Sequence, residues 1–149
     1  LNSQFEFHRL NKETTINNLT VSFKPLNHTD TCYAYKISNG VNSVVYASDH
    51  ECIDNDVNRE FVEWAKGCDI LIHDAMYLDK EYEERIGWGH STFIMACENA
   101  MKINPKQLLL THHEPLRTDA DLDQIESDLK KKFSSLALCC AQQEIVYNV

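Results

Sequence analysis

Apolar and polar positions divide the chain into two regimes. Early on, apolar residues alternate or run in short blocks over Phe5 to Leu10, Leu19 to Leu26, Cys32 to Ser38 and Ser43 to Ser48, which predicts four strands. Ser38-Asn39-Gly40 is a turn signal between the last two and predicts a hairpin. The period then lengthens. Val57, Phe61, Trp64 and Ala65 fall on one helical face, opened by Asp54 and Asn55 and closed by Gly67. A second helical stripe, Phe93, Ala96, Cys97 and Ala100, follows the capping residues Ser91 and Thr92. A third, Leu122, Ile125, Leu129 and Phe133, follows Thr118. Ile70-Leu71-Ile72 and Leu108-Leu109-Leu110 are short, wholly apolar runs, as expected of strands covered on both faces. Leu136 to Val149 predicts one or two closing strands. The order β-β-β-β-α-β-α-β-α-β predicts a layered α/β domain over residues 1–149.

Composition narrows the function classes. With 149 residues, 43% of them apolar, and only 4 Gly and 3 Pro, the chain can fill one ordinary core and is not a linker or a disordered tail. No apolar stretch approaches the ~18 to 20 residues of a membrane span. Lys and Arg total 14 against 23 Asp and Glu, a net charge of −9, which argues against a broad phosphate-backbone footprint. The one basic run, Lys130-Lys131-Lys132, falls late in a predicted helix, where it suits the helix dipole. Cys32, Cys52, Cys68, Cys97, Cys139 and Cys140 form no C-x-x-C pair and no small disulfide framework. The sequons at Asn18 and Asn27 matter only in a secretory protein, and no secretory leader is visible. A reduced, cytoplasmic chain with buried cysteines is therefore expected. The sequence opens on Leu1 instead of Met.

The candidate chemistry collects at strand ends. Val44-Val45-Tyr46-Ala47 leads to Asp49-His50, Ile70-Leu71-Ile72 to His73-Asp74, and Leu108-Leu109-Leu110-Thr111 to His112-His113-Glu114. His28 follows the strand ending at Leu26, and His90 lies in Gly87-Trp88-Gly89-His90-Ser91, ahead of a helix. Six of the seven histidines thus sit at element ends, and His8 falls inside the first predicted strand. Loops at the carboxyl ends of strands form the usual crevice of an α/β sheet. Histidine with aspartate, without paired cysteines, suits Zn²⁺, Mn²⁺ or Fe. Ordinary turn residues satisfied by hydrogen bonds are the competing reading. His50 should point away from Asp49 by strand alternation, His113 and Glu114 read as supporting or exposed residues, and Trp88 could pack over a substrate base.

The ordered series His28-Thr29-Asp30, Tyr46-Ala47-Ser48-Asp49, Ile72-His73-Asp74-Ala75, Gly87-Trp88-Gly89-His90-Ser91-Thr92 and Thr111-His112-His113-Glu114-Pro115 resembles the second half of a metallo-β-lactamase-fold hydrolase. The resemblance covers roughly residues 19–120 and is greatest to the branch of ribonuclease Z-like and cyclic-phosphodiester-cleaving enzymes. It implies the second half of an αββα sandwich, a mixed sheet flanked by helices. It implies two divalent metal ions, Zn above Mn or Fe, with His28 on the first, Asp49 bridging both and His112 on the second. It implies that His90 faces the scissile phosphate and that His73 and Asp74 form a His-acid pair behind it. The reaction implied is hydrolysis of a phosphodiester, either a small cyclic or nucleotide-type molecule or RNA, by a water activated between two metals. Thioester or lactam hydrolysis ranks lower because of the G-H-S-T stretch.

One departure shapes the rest. The family hallmark H-x-H-x-D-H does not occur in this sequence. The expectation is a C-terminal portion of a larger domain, inactive by itself. The alternative is a non-catalytic half-domain that works by associating with its missing half, with another chain or as a homodimer. An uncovered apolar sheet face is expected in either case.

Overall fold

The structure is a computed structural model and describes Phe7 and residues 9–149. Seven strands form one mixed sheet in sequence order, β1 (Glu13–Ile16), β2 (Leu19–Leu26), β3 (Cys32–Ser38), β4 (Ser43–Ala47), β5 (Ile70–Asp74), β6 (Gln107–Thr111) and β7 (Leu138–Cys140). Pairing is antiparallel from β1 to β4 and parallel from β4 to β7. The helices are α1 (Asp56–Ala65), α2 (Asp79–Tyr82), α3 (Phe93–Ile103) and α4 (Asp119–Lys132).

The caps form where the sequence predicts them. The Asn55 side chain accepts from the amide of Asn58, Thr92 accepts from Met95, and Thr118 forms a capping box with Asp121. The hairpin also forms, with Ser38 opposite Ser43 and Gly40 at φ +89° in the turn. The predicted strand over Phe5 to Leu10, with His8, lies outside the described residues apart from Phe7, Arg9 and Leu10, which are in no strand. Of the closing segment only Leu138–Cys140 pairs. β1 and α2 are additional elements, both short and polar.

α1, α3 and α4 all pack on one face of the sheet. Phe61, Ala96, Ala100, Ile103 and Leu129 meet Ala34, Val45, Leu71, Leu108 and Leu110 in one core. Phe61 is fully buried, and its replacement by Ala would cost about 3–5 kcal/mol. The opposite face is also apolar. Register aligns Phe23, Tyr35, Tyr46 and Ile72 across β2 to β5, and Ile37 beside Val44. None of the three core helices covers this face; Tyr33, Tyr35, Ile37 and Tyr46 are exposed. Among the described residues, α1, α3 and α4 thus form one helical layer on one face of a single sheet. None of their helices is long and apolar enough to cross a membrane.

Strand direction builds the site. β2 and β4 are both antiparallel to β3, and β4, β5 and β6 are mutually parallel, so all four point the same way. The loops after them carry His28, Asp49, Asp74 at the strand end itself, and His112 to a single edge.

Candidate metal and phosphoryl site

Three side chains converge at that edge. Asp49 Oδ1 lies 3.3 Å from His112 Nε2 and 4.0 Å from His28 Nε2. Asp49 and His112 both adopt the left-handed backbone region, with φ of +52° and +59°. For non-glycine residues this costs about 1–2 kcal/mol each and is kept where surrounding structure imposes it. The other ring nitrogens are engaged away from the centre. His112 Nδ1 lies 3.0 Å from the Ser48 hydroxyl, and His28 Nδ1 lies 3.3 Å from both Thr29 Oγ1 and the Asp30 amide. Asp49 Oδ1 thus lies between two imidazole nitrogens, and His with Asp is a donor set suited to divalent cations. The ligand atoms of His28, Asp49 and His90 lie within 4.8 Å of one another, as do those of Asp74, His90 and His112.

His90 forms the wall of this cluster. Its ring stacks on His112 at 4.8 Å and meets His28 edge-on at 5.1 Å. Its Nδ1 donates to Asp74 Oδ2 at 2.7 Å, which leaves Nε2 available to the cleft. Asp74 is fully buried and also accepts from the amides of Ser91 at 3.0 Å and His50 at 3.3 Å. The hydrogen bond to this carboxylate raises the His90 pKa above its ordinary value, against the opposing effect of burial. The helix N-terminus that follows His90 would by itself favour a neutral ring; the Asp74 carboxylate acts in the opposite direction.

The sequence pairs His73 with Asp74 behind His90, and the structure separates them. Successive side chains of a strand point to opposite faces. Asp74 turns to His90, whereas His73 lies fully buried among His50, Cys52, Asn58 and Asn99. His73 Nδ1 bonds the Asp74 carbonyl at 2.8 Å, and Nε2 lies 3.5 Å from Cys52 Sγ. His50, which alternation turns away from Asp49, enters the same cluster and bonds Asn58 Oδ1 at 2.9 Å. Burial pushes the His50 pKa down to about 3 and the Cys52 thiol up to about 12. His50, Cys52 and His73 have ligand-like spacing, but the Asn99 amide nitrogen sits between them, 3.0 Å from Cys52 Sγ, 3.5 Å from His73 Nε2 and 2.9 Å from Asn58 Oδ1. These contacts make the cluster a buried hydrogen-bonded network in this structure. His113 is half-buried with Nδ1 at 3.2 Å from the Ala75 carbonyl, outside the converging set.

Ser48 and Ser91 are contributors that sequence motifs do not reveal. Ser48 orients His112, and Ser91 donates its hydroxyl to the His50 carbonyl at 2.5 Å while accepting from the Cys52 amide at 3.1 Å. Serine beside a charged residue at a loop is too common a pattern to single them out.

A family model described as the beta-lactamase superfamily domain matches residues 3–113. The chain belongs to that superfamily, in its metallo-β-lactamase fold. Among curated relatives, it is 32% identical over 108 residues to the probable metallo-hydrolase YhfI of Bacillus subtilis, covering 68% of this chain and 41% of that protein. It is 37% identical over 92 residues to ribonuclease Z of Archaeoglobus fulgidus, covering 62% of this chain and 28% of the relative. The crystal structure of YhfI superposes with a TM-score of 0.74 at 25% identity, over 91% of this chain and 50% of that one. A diphosphatase of the PhnP family shares the fold with a TM-score of 0.72 at 20% identity, over 97% and 49% of the two chains. This superfamily member thus spans less than half the length of the curated relatives it matches.

Proposed function

We propose that this chain carries the phosphoryl-facing part of a metal-dependent phosphodiesterase. The observation that carries the reading is the Asp74–His90 pair, bonded at 2.7 Å and set against the His28, Asp49 and His112 cluster. Its resemblance to ribonuclease Z relatives and to a PhnP-family diphosphatase supports the same reaction class.

His28 and His112 would each hold a divalent ion through Nε2, and the Asp49 carboxylate would lie between two such ions. The ions, Zn²⁺ above Mn²⁺ or Fe, would supply Lewis acidity and a nucleophilic water at neutral pH. The protein's own residues then divide the work. His90, whose proton affinity the Asp74 carboxylate raises, would donate from Nε2 in its protonated form to a phosphoryl oxygen or to the leaving oxygen. Asp74 fixes the ring and stabilises its positive charge. His73 supports the loop from the core side and does not touch substrate. Trp88, exposed in the adjoining loop, offers an apolar surface to a nucleotide-type substrate. The net charge of −9 favours a small phosphodiester over a long RNA for the portion seen. The sequence lacks the H-x-H-x-D-H string, so the site is completed by residues beyond this set, and residues 1–149 act as the C-terminal portion of the domain, in the cytoplasm.

The test uses the whole natural polypeptide that carries this sequence, supplied with Zn²⁺ or Mn²⁺, and a 2′,3′-cyclic nucleotide or bis(p-nitrophenyl) phosphate. His90→Ala should lower kcat by about 10²–10⁴-fold, the usual contribution of a general acid. Cleavage that persists unchanged in both His90→Ala and His112→Ala would refute the assignment.

A second reading is favoured by the uncovered face of Tyr33, Tyr35, Ile37 and Tyr46. The chain would then act by association, its sheet covered by a second half or a second copy. Light scattering that shows a stable monomer with this face exposed would count against it.

A further inference from the structure

The loop that carries His90 has an anchor outside the converging cluster. Glu51 lies two residues beyond Asp49 and is buried. Its Oε1 accepts from the Tyr82 hydroxyl at 2.6 Å and the Gly87 amide at 2.7 Å, and its Oε2 accepts from the Gly89 amide at 3.0 Å. Among the described residues, no Lys, Arg or His pairs with it. A buried carboxylate without a counter-ion is costly unless aligned dipoles compensate it. Here two backbone N–H groups and a phenol do so. Positive φ at Gly87 and Gly89, +84° and +89°, is the local conformation in which both amides reach this one carboxylate.

The clamp has a geometric consequence. Gly89 is pressed against His28 so closely that a Cβ there would lie 2.6 Å from His28 Cδ2. On the other side, the His50 carbonyl and the Cys52 amide both bond the Ser91 hydroxyl. Residues 50–52 and 87–91 are thus stitched together on both sides of His90. We propose that Glu51 is a positioning residue, a buried carboxylate that holds the Gly87–His90 loop at a fixed distance from Asp49 and His28. Its bearing on catalysis rests on the phosphodiesterase reading; the clamp itself does not. A glutamate in a polar loop gives no sequence signal of this, because its three donors lie 31 to 38 residues away.

Hydrogen exchange measured by NMR tests the clamp without reference to activity. In Glu51→Ala the amides of Gly87 and Gly89 should exchange about 10- to 100-fold faster, the loss of one charge-assisted hydrogen bond each. The amides of Leu71 and Leu109 in the central strands should keep their protection. Glu51→Gln, which retains one acceptor oxygen, should release one of the two glycine amides, and Tyr82→Phe should give a smaller change at Gly87. These milder variants carry the test if Glu51→Ala does not fold. Native exchange rates at Gly87 and Gly89 in every variant that folds would overturn the proposal. In the whole natural polypeptide, Glu51→Gln should lower kcat more than it changes KM. A wild-type protein that cleaves no phosphodiester would defeat the functional reading, while the exchange result would still decide the clamp.

Discussion

Replacing Gly89 by Ala probes the spacing between the His90 loop and His28. The new methyl would stand 2.6 Å from His28 Cδ2 and 3.0 Å from both His28 Cγ and the Thr29 amide nitrogen, on a backbone at φ +89°. Two costs add. A left-handed conformation for a residue with a Cβ costs roughly 1–2 kcal/mol, and overpacking a tight contact costs roughly 1–3 kcal/mol. His28 can relieve the contact only by leaving its position 4.0 Å from Asp49. A total of about 3 kcal/mol corresponds to about 6–12 °C in Tm for a chain of this size. Gly87→Ala is the matched control. Gly87 has φ +84°, and a methyl group there would meet nothing within 4 Å, so only the backbone cost applies, about 1–2 kcal/mol. Thermal unfolding followed by circular dichroism measures both. The His28 ring resonances should move in Gly89→Ala and stay in place in Gly87→Ala. Equal Tm losses in the two variants, with His28 unmoved, would refute the reasoning.

Other outcomes follow from burial and charge. Burial pushes the thiols of Cys52, Cys97 and Cys140 up to about 12 and that of Cys68 to about 11. Iodoacetamide at pH ~8 should therefore leave these four unmodified in the native protein and label them in denaturant, as mass spectrometry would record. Rapid native labelling of Cys52 would contradict its place in the core. Burial holds the His73 pKa below its ordinary 6.5, so the unfolded chain takes up the proton first as pH falls. The stabilisation from neutral His73 is present above pH 6.5 and is lost below it, by at most about 1.4 kcal/mol per pH unit. Urea unfolding between pH ~7 and ~5 should show a flatter slope in His73→Asn than in the wild type; an unchanged slope would argue against it. Tyr35→Lys with Tyr46→Lys places two charges on the uncovered sheet face and should reduce self-association in light scattering while leaving the helical core folded.

Much of the fold is legible in the sequence because period and burial agree in its central elements. Leu19–Leu26 and Cys32–Ser38 have the boundaries that alternation indicates, and the caps Asn55, Thr92 and Thr118 lie where their side chains close a helix. Glu13–Ile16 is not legible. Its sequence, ETTI, lacks an apolar stripe and becomes a strand only by pairing with β2 across a turn with Asn17 at φ +55°. At the site, His28, Asp49, His90 and His112 are legible as chemistry-bearing residues at element ends. Their convergence depends on four strands sharing one direction, which the motif order implies through family resemblance. The division of labour between His73 and Asp74 follows from strand alternation, which turns adjacent residues to opposite sides. Glu51 and Ser48 are not legible, since their partners are distant in sequence.

The central proposal is that His28 and His112 each hold a divalent cation, with Asp49 between them, beside a His90 bonded to Asp74. Its most direct test is a Zn²⁺ titration of the whole natural polypeptide, followed through the histidine side-chain nitrogens by NMR. Nε2 of His28 and His112 should respond at stoichiometric metal, His50 and His73 should not, and Asp49→Asn should weaken binding by at least about tenfold. A response centred on His50 and His73, or none at His112, would contradict the claim.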